Sequence, residues 1–333
     1  MARTLVIGLT ESGKQTTVNE DTFSLGGRVY PDMITGSEEQ TGNSTGYNQL
    51  YVVTQGVGGP GAGDLAGRII QRTASDLTDL LGRYQSPDLN FEKFSLDLIK
   101  EAHGRVLSQI KPREAGQSGA SMALLLIDAN AAYALNVGET DIFLFREGEL
   151  FHLSCPTGPS RDRGGLIGDR GVTLPTPDRL TTKKIDLKPG DIITLASRGF
   201  RQGYHPREFI ADLASPDAFA ASIRQAQIHS RQGDDSQSGT ILAVKIRDLE
   251  LTEPSDGIPG SEIRKSIYHN GLDQDGPEPA RGGRRKKNKG EDEMAKVKKL
   301  KRKRNLKTFF LFLLLGFLIG MAAILFVWFL ILR

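Results

Sequence analysis

Apolar residues fall along the first 250 positions in short runs separated by polar and glycine-rich turns. Nine of these runs read as strands, at residues 3–10, 22–25, 50–54, 121–127, 131–136, 142–146, 183–187, 191–196 and 239–246. Three longer stretches carry a helical period instead, at 62–84, 91–110 and 216–229. In the first of them Leu65, Ile69, Ile70, Thr73, Leu77 and Leu80 fall on one face. Glu147-Gly148 between two strand-like runs predicts a hairpin turn. Strands, then inserted helices, then more strands predict an α+β domain of two antiparallel sheets covered by helices. Residues 26–48 are polar and glycine-rich, with Glu38 and Glu39, and read as an exposed, mobile insertion that either covers a cleft or offers a surface to a partner.

The pattern changes near residue 248. From 248 to 290 the chain is rich in Pro, Gly, Ser and charge and has no apolar period, which predicts a flexible tether. A short piece at 261–268 reads as a helical turn or a docking motif. Residues 309–332 then form 24 consecutive positions without a charge. At about 1.5 Å per residue that length crosses a bilayer of roughly 30 Å with some tilt. The expected organisation is a folded domain at 1–247, the tether at 248–290, a basic juxtamembrane stem at 291–308 and one transmembrane helix at 309–332. Gly316 and Gly320 form a G-x-x-x-G within the span, a spacing that permits a homodimer by close helix pairing.

Charge sharpens this picture. The 333-residue chain is +3 in total, yet residues 281–307 hold 14 Lys and Arg against 3 Asp and Glu, and Arg333 adds one more. Residues 1–280 therefore carry −9. An acidic body argues against nucleic acid as a partner. The basic run before the span, with only Arg333 after it, places the N-terminal domain in the cytoplasm by the positive-inside rule. The cations at 296–307 fix topology and suit anionic lipid headgroups. The apolar run Leu5-Val6-Ile7-Gly8-Leu9 is shorter than a signal-peptide core. The single cysteine, Cys155, excludes an internal disulfide framework and reads as a small packed hydrophobe.

Several short motifs carry the candidate chemistry. They are Asn19-Glu20-Asp21, Gln55-Gly56-Val57-Gly58-Gly59, Ala62-Gly63-Asp64-Leu65-Ala66, Gly119-Ala120-Ser121, Asn136-Val137-Gly138-Glu139-Thr140-Asp141, Pro189-Gly190-Asp191, Ser197-Arg198-Gly199-Phe200 and Asp234-Asp235. In this order they resemble the N-E-D, D-G-M-G-G, A-G-E-x-A, G-T-T, N-V-G-D-S-R, P-G-D-x-L, S-D-G-L and closing D-N or D-D of the type-2C, metal-dependent serine/threonine protein phosphatases. The resemblance covers residues 1 to about 246 and implies that family's α-β-β-α sandwich. The family holds two Mg²⁺ or Mn²⁺ ions between carboxylates, and a water shared by the ions attacks phosphoserine or phosphothreonine.

Two of the carboxylates which that chemistry needs are replaced. The family's bridging aspartate is Gln55 here, whose amide oxygen carries no charge. A second ligand is Arg198, always protonated and repelled by a cation. The family's phosphate-binding arginine falls at Thr16, and Lys14 is near but out of register. Asp21, Gly56 and Asp235 stand at the metal-site positions that remain, a remnant set for weak or absent Mg or Mn binding. Glu20, Asp64, Asp141 and Asp234 read as turn, cap or solvated carboxylates. No residue is assigned a catalytic role. Arg198 is expected to meet a phosphate or to pair with Asp21 and Asp235, and Arg161 and Arg163 extend the same anion-binding potential. Three functions stay open on these residues. The first is an inactive phosphatase-like domain that binds a phosphoprotein or a kinase at a membrane. The second is an active Mg- or Mn-dependent phosphatase with a rearranged site. The third is a non-catalytic membrane scaffold or assembly factor.

Overall fold

The structure, a computed structural model, describes residues 1–16, 18–32, 36–59, 61–81, 89–110, 118–154, 165–171 and 180–249. The tether beyond Leu249, the basic stem, the span at 309–332 with Gly316 and Gly320, Cys155, Arg161 and Arg163 lie outside these residues. Among the described residues no helix is long and apolar enough to cross a membrane.

Twelve strands and five helices are described: β1 (Ala2–Glu11), β2 (Asp21–Leu25), β3 (Arg28–Tyr30), β4 (Glu38–Ser44), β5 (Asn48–Val57), α1 (Gly63–Thr78), α2 (Phe91–Gln109), β6 (Gly119–Asp128), β7 (Ala131–Val137), β8 (Asp141–Arg146), β9 (Glu149–His152), β10 (Thr181–Asp186), β11 (Ile192–Ala196), α3 (Arg198–Gly203), α4 (Pro206–Ala214), α5 (Phe219–Gly233) and β12 (Gly239–Leu249). Sheet one runs β4-β1-β12-β11-β8-β9 and sheet two runs β10-β7-β6-β5-β2-β3. Every pairing between these strands is antiparallel. The sandwich expected from the sequence is the one found.

Side-chain alternation builds three cores from two sheets. β6 is buried at all ten positions. Its Met122, Leu124 and Leu126 enter the core under α1 and α2, while Ala123, Leu125 and Ile127 enter the core between the sheets. β12 divides the same way, with Leu242, Val244 and Ile246 between the sheets and Ile241 and Ala243 in a third core under α3, α4 and α5. A strand covered on both faces reads as an unbroken apolar run, which is why these two were legible. Each fully buried Leu or Ile contributes about 1.5–3 kcal/mol of transfer free energy.

The structure corrects several expectations. The segment 26–48 is not a mobile insertion: Glu38–Ser44 is an edge strand paired with β1 from Thr4↔Ser44 to Thr10↔Glu38, and Arg28–Tyr30 pairs with β2. Its sequence is polar because an edge strand is half solvated. The first helix ends at Thr78, and Leu65 and Leu80 are exposed. Ile69, Ile70 and Thr73 of the expected face are buried, and the buried surface also takes in Gly63, Ala66, Gly67 and Ala74. Small residues mark it because α1 lies close to its sheet: a Cβ on Gly67 would sit 2.5 Å from Thr54 Oγ1. Two short helices, α3 and α4, follow Ser197 and were not expected; Pro206 opens the second at its first turn. Glu147 and Gly148 do form the β8–β9 hairpin turn, both at positive φ (56° and 86°).

Glycine lets backbone meet backbone at several places, two of them at the motif turns. A Cβ on Gly56 would lie 2.3 Å from the Gly63 carbonyl carbon, where the end of β5 meets the start of α1. A Cβ on Gly199 would lie 1.9 Å from the Ser238 carbonyl oxygen. Gly199→Ala is expected to destabilise the protein by about 2–3 kcal/mol, an overpacking cost with no flexible side chain to yield. Gly104→Ala, on an open and exposed face of α2, is expected to stabilise it by about 0.5–1 kcal/mol. Denaturant unfolding of the two variants, with unchanged m-values, checks the pair.

Candidate functional site

The motifs converge where β5, β11 and β12 run out at one end of the sandwich. Strand register sets Asp21 and Ser121 on either side of Gln55. Sheet one contributes Ser197 and Arg198, at the step from β11 into α3. The Gln55 Oε1 atom accepts the backbone N–H of Arg198 at 3.0 Å. The glutamine amide is thus committed to satisfying a helix N–H that has no partner within α3. The Arg198 side chain turns outward, and its Nη1 lies 2.6 Å from Glu139 Oε2. Both partners are substantially exposed, so this pair is worth no more than about 1 kcal/mol. Glu139 is itself placed by its N–H, which donates to Ser121 Oγ at 3.1 Å.

Asp21 is buried and faces hydroxyls. Thr240 Oγ1 donates to its Oδ2 at 3.0 Å, and the Ser197 hydroxyl is a second partner. Behind Thr240 stands a directed chain. Thr240 Oγ1 gives its proton to Asp21, which leaves it to accept from Thr10 Oγ1 at 2.7 Å, and Thr10 Oγ1 in turn accepts from Asn19 Nδ2 at 2.7 Å. Asn19 Oδ1 accepts the Asp21 N–H at 3.1 Å, and Ser197 Oγ accepts the Thr240 N–H at 3.0 Å. Burial pushes the Asp21 carboxyl up to about 7, with the two hydroxyl hydrogen bonds pulling it down and nearby Glu20 pushing it up. Burial therefore favours the protonated form of Asp21 far more than in a free aspartate.

The other expected residues have partners of their own. Asp235 forms an ion pair with Lys14 Nζ, and the Lys14 N–H donates to the Asp235 carbonyl at 2.9 Å. Thr16 closes the neighbouring turn, donating to Gly13 O at 3.1 Å, with Ser238 Oγ at 3.3 Å. The Gly56 N–H donates to the Glu20 carbonyl at 3.1 Å. The expected pairing of Arg198 with Asp21 and Asp235 is not found. Its partner, Glu139, lies nearer the surface and neutralises the guanidinium without any desolvation of the buried carboxyl. Glu139 was not singled out in the sequence, although it stands at the acidic place of N-V-G-D-S-R. Ser197 was quoted only as part of a motif and Thr240 not at all, since a hydroxyl on the opposite sheet from a carboxylate has no spacing rule.

Asp141, which read as a solvated carboxylate, is fully buried. Its Oδ1 lies 2.7 Å from His152 Nε2 and 3.2 Å from Ser154 Oγ, and its Oδ2 lies 2.6 Å from Arg201 Nε. Ser154 Oγ is 2.9 Å from the same His152 nitrogen. A relay needs the acid and the nucleophile on opposite ring nitrogens. Both here meet Nε2, so the cluster holds α3 and β8 together and is not arranged for nucleophilic attack.

These residues do not fit a pair of Mg²⁺ or Mn²⁺ ions. The Gln55 oxygen is occupied by a peptide N–H, Arg198 brings a cation to a ligand position, the Asp21 oxygens are bonded to hydroxyls, and Asp235 is paired with Lys14. Among the described residues no group of three His, Cys, Asp or Glu is placed to hold a metal ion.

No protein-family model matches the chain, and a search of curated proteins finds no match. Solved structures do match in shape. PppA of Pseudomonas aeruginosa, described as a key regulatory component of T6SS, is 20% identical with a TM-score of 0.54, over 72% of this chain and 96% of that one. The Mycobacterium tuberculosis serine/threonine phosphatase PstP/Ppp is 16% identical with a TM-score of 0.55, over 74% and 100%. A PstP catalytic domain in complex with two manganese ions is 17% identical with a TM-score of 0.51, over 73% and 100%. At these identities the shared property is the fold, which is that of the PPM-type serine/threonine phosphatases.

Because the Asp21 carboxyl is raised from 3.8 to about 7 in the folded state, the folded protein binds more protons than the unfolded chain between those values. Its contribution to stability is complete below about pH 4 and is lost as pH rises towards 7, by up to about 4 kcal/mol. Asp21→Asn removes this term. Its stability relative to the parent is expected to improve as pH rises from 4 to 7 and to level off above that, as read by the difference in thermal midpoints across pH 4 to 8.

Proposed function

We propose that this chain is a membrane-anchored PPM phosphatase-like protein that has lost catalysis and acts by binding in phosphoserine and phosphothreonine signalling. The observation that carries the reading is the hydrogen bond from the Arg198 N–H to Gln55 Oε1. The two positions that resemble metal ligands are here bonded to each other. A bridging ligand must offer an anionic oxygen to two hard cations, and this one offers a neutral oxygen already in use. The regulatory role described for PppA, a protein of the same fold, is compatible with a binding or regulatory task. The anchor is proposed from the uncharged run at 309–332 and the basic residues before it, with the folded domain in the cytoplasm. Its partner class is a phosphoprotein or a kinase.

The test is Mn²⁺-dependent phosphate release from phosphothreonine peptides by the full chain in detergent, beside a Gln55→Asp/Arg198→Asp variant. The parent is expected to release no phosphate above the metal-free blank. The variant, which returns both carboxylates, is expected to gain Mn²⁺ binding measurable by calorimetry. Metal-dependent turnover by the parent overturns the proposal.

A further inference from the structure

Four strand edges bound the two sheets among the described residues: β4 and β9 for sheet one, β10 and β3 for sheet two. Exposed edges present unpaired N–H and C=O groups, and proteins guard them with brevity, lysine, proline or bulges. Three of the four are guarded in this way. β3 has three residues and runs into Pro31, β9 has four, and β10 carries Lys183-Lys184 at its centre. The fourth, β4, carries charge only at its first end, at Glu38 and Glu39. It is seven residues long, contains neither lysine nor proline, and keeps an unbroken register with β1 along its length. Beside it lies a groove of about 730 Å³, lined by Gln40, Gly42 and Ser44 from β4 and by Tyr30 and Tyr51 from the other sheet. Among the described residues, this groove borders the edge.

We infer that β4 pairs with β4 of a second copy of this chain, antiparallel about Thr41, joining two six-stranded sheets into one of twelve. Charge placement favours a second copy as the occupant. Both acids of the strand, Glu38 and Glu39, lie at one end, and the other end is neutral. Antiparallel pairing about Thr41 sets Glu38 opposite Ser44, Glu39 opposite Asn43 and Gln40 opposite Gly42, so no like charges face each other. Self-pairing of β10 about its centre would set Lys183 against Lys184. Glu39 is also held by Arg224 of α5, through Nη2 at 2.6 Å, which fixes the strand from the helix side and leaves Thr41 exposed next to it. Residues directly opposite in an antiparallel pair bring their Cβ atoms to about 4.5–5.5 Å, within reach of a cysteine cross-link.

The register supplies the test. The full chain in detergent, with Cys155→Ser as background, is oxidised with copper phenanthroline after introducing Thr41→Cys, Asn43→Cys, Glu39→Cys or, as an exposed control, Glu208→Cys. Thr41→Cys is expected to cross-link to itself at least tenfold faster than Glu208→Cys. Asn43→Cys alone is expected to stay near the control, and a mixture of Asn43→Cys and Glu39→Cys chains to cross-link as a heterodimer. A dimer held only by the C-terminal segment gives no preference for position 41. Equal rates at 41, 43 and 208, or no cross-link at 41 because another segment of the chain covers the strand, overturn the inference.

Discussion

Two contacts in which backbone lies directly against backbone govern the end of the sandwich where the motifs meet. Gly56 lies against Gly63, and Gly199 lies against Ser238. The first brings the start of α1 onto the end of β5; the second brings α3 onto the loop before β12. No side chain fits at either point, so glycine is required whether or not the cleft holds a metal. This explains how a glycine framework that resembles an enzyme's persists around Gln55 and Arg198. The frame answers to packing, and the ligand positions answer to chemistry.

With ligands replaced, the cleft satisfies itself by other means. A side-chain amide takes up the first N–H of α3, a surface carboxylate takes up the guanidinium, and a file of hydroxyls takes up the buried Asp21. Each of these links joins parts of the chain far apart in sequence. The Gln55 bond ties sheet two to α3, and the Thr240 bond ties β2 to β12. They are individually modest, about 1 kcal/mol each, but they close the end of the sandwich without any ion to neutralise a cluster of carboxylates.

Much of the fold could be read from the chain because both-face burial leaves unbroken apolar runs, as in β6 and β12. What escaped was short, polar or small. β4 is Glu, Gln, Thr, Gly, Asn and Ser, a composition indistinguishable from a loop until its pairing with β1 is seen. α3 is six residues, too short for a period to show, and the face of α1 adds glycine and alanine, which carry little hydrophobic signal, to the expected Ile69 and Ile70. The candidate site was half legible. Gln55 and Arg198 announced themselves by standing where a motif wants an acid. Their mutual contact, and the partners Glu139, Ser197 and Thr240, depend on how two sheets face each other, which no local spacing encodes.

The doubly buried β6 has a consequence for how the chain finds its fold. A strand that alternates between core and solvent checks its own alignment, because a shift by one residue turns its apolar set towards water. β6 has no such check: shifted by one, it would still bury Leu and Ile on both faces. Its alignment must come from the turn at its end. There Ala129 takes a left-handed φ of 56°, donates its N–H to Tyr47 and accepts the N–H of Ala2, so one residue fixes where β1, β5 and β6 begin and end relative to one another. Fidelity of the central sheet thus rests on a surface turn remote from the cleft, and errors there would yield compact but mispaired chains, not unfolded ones.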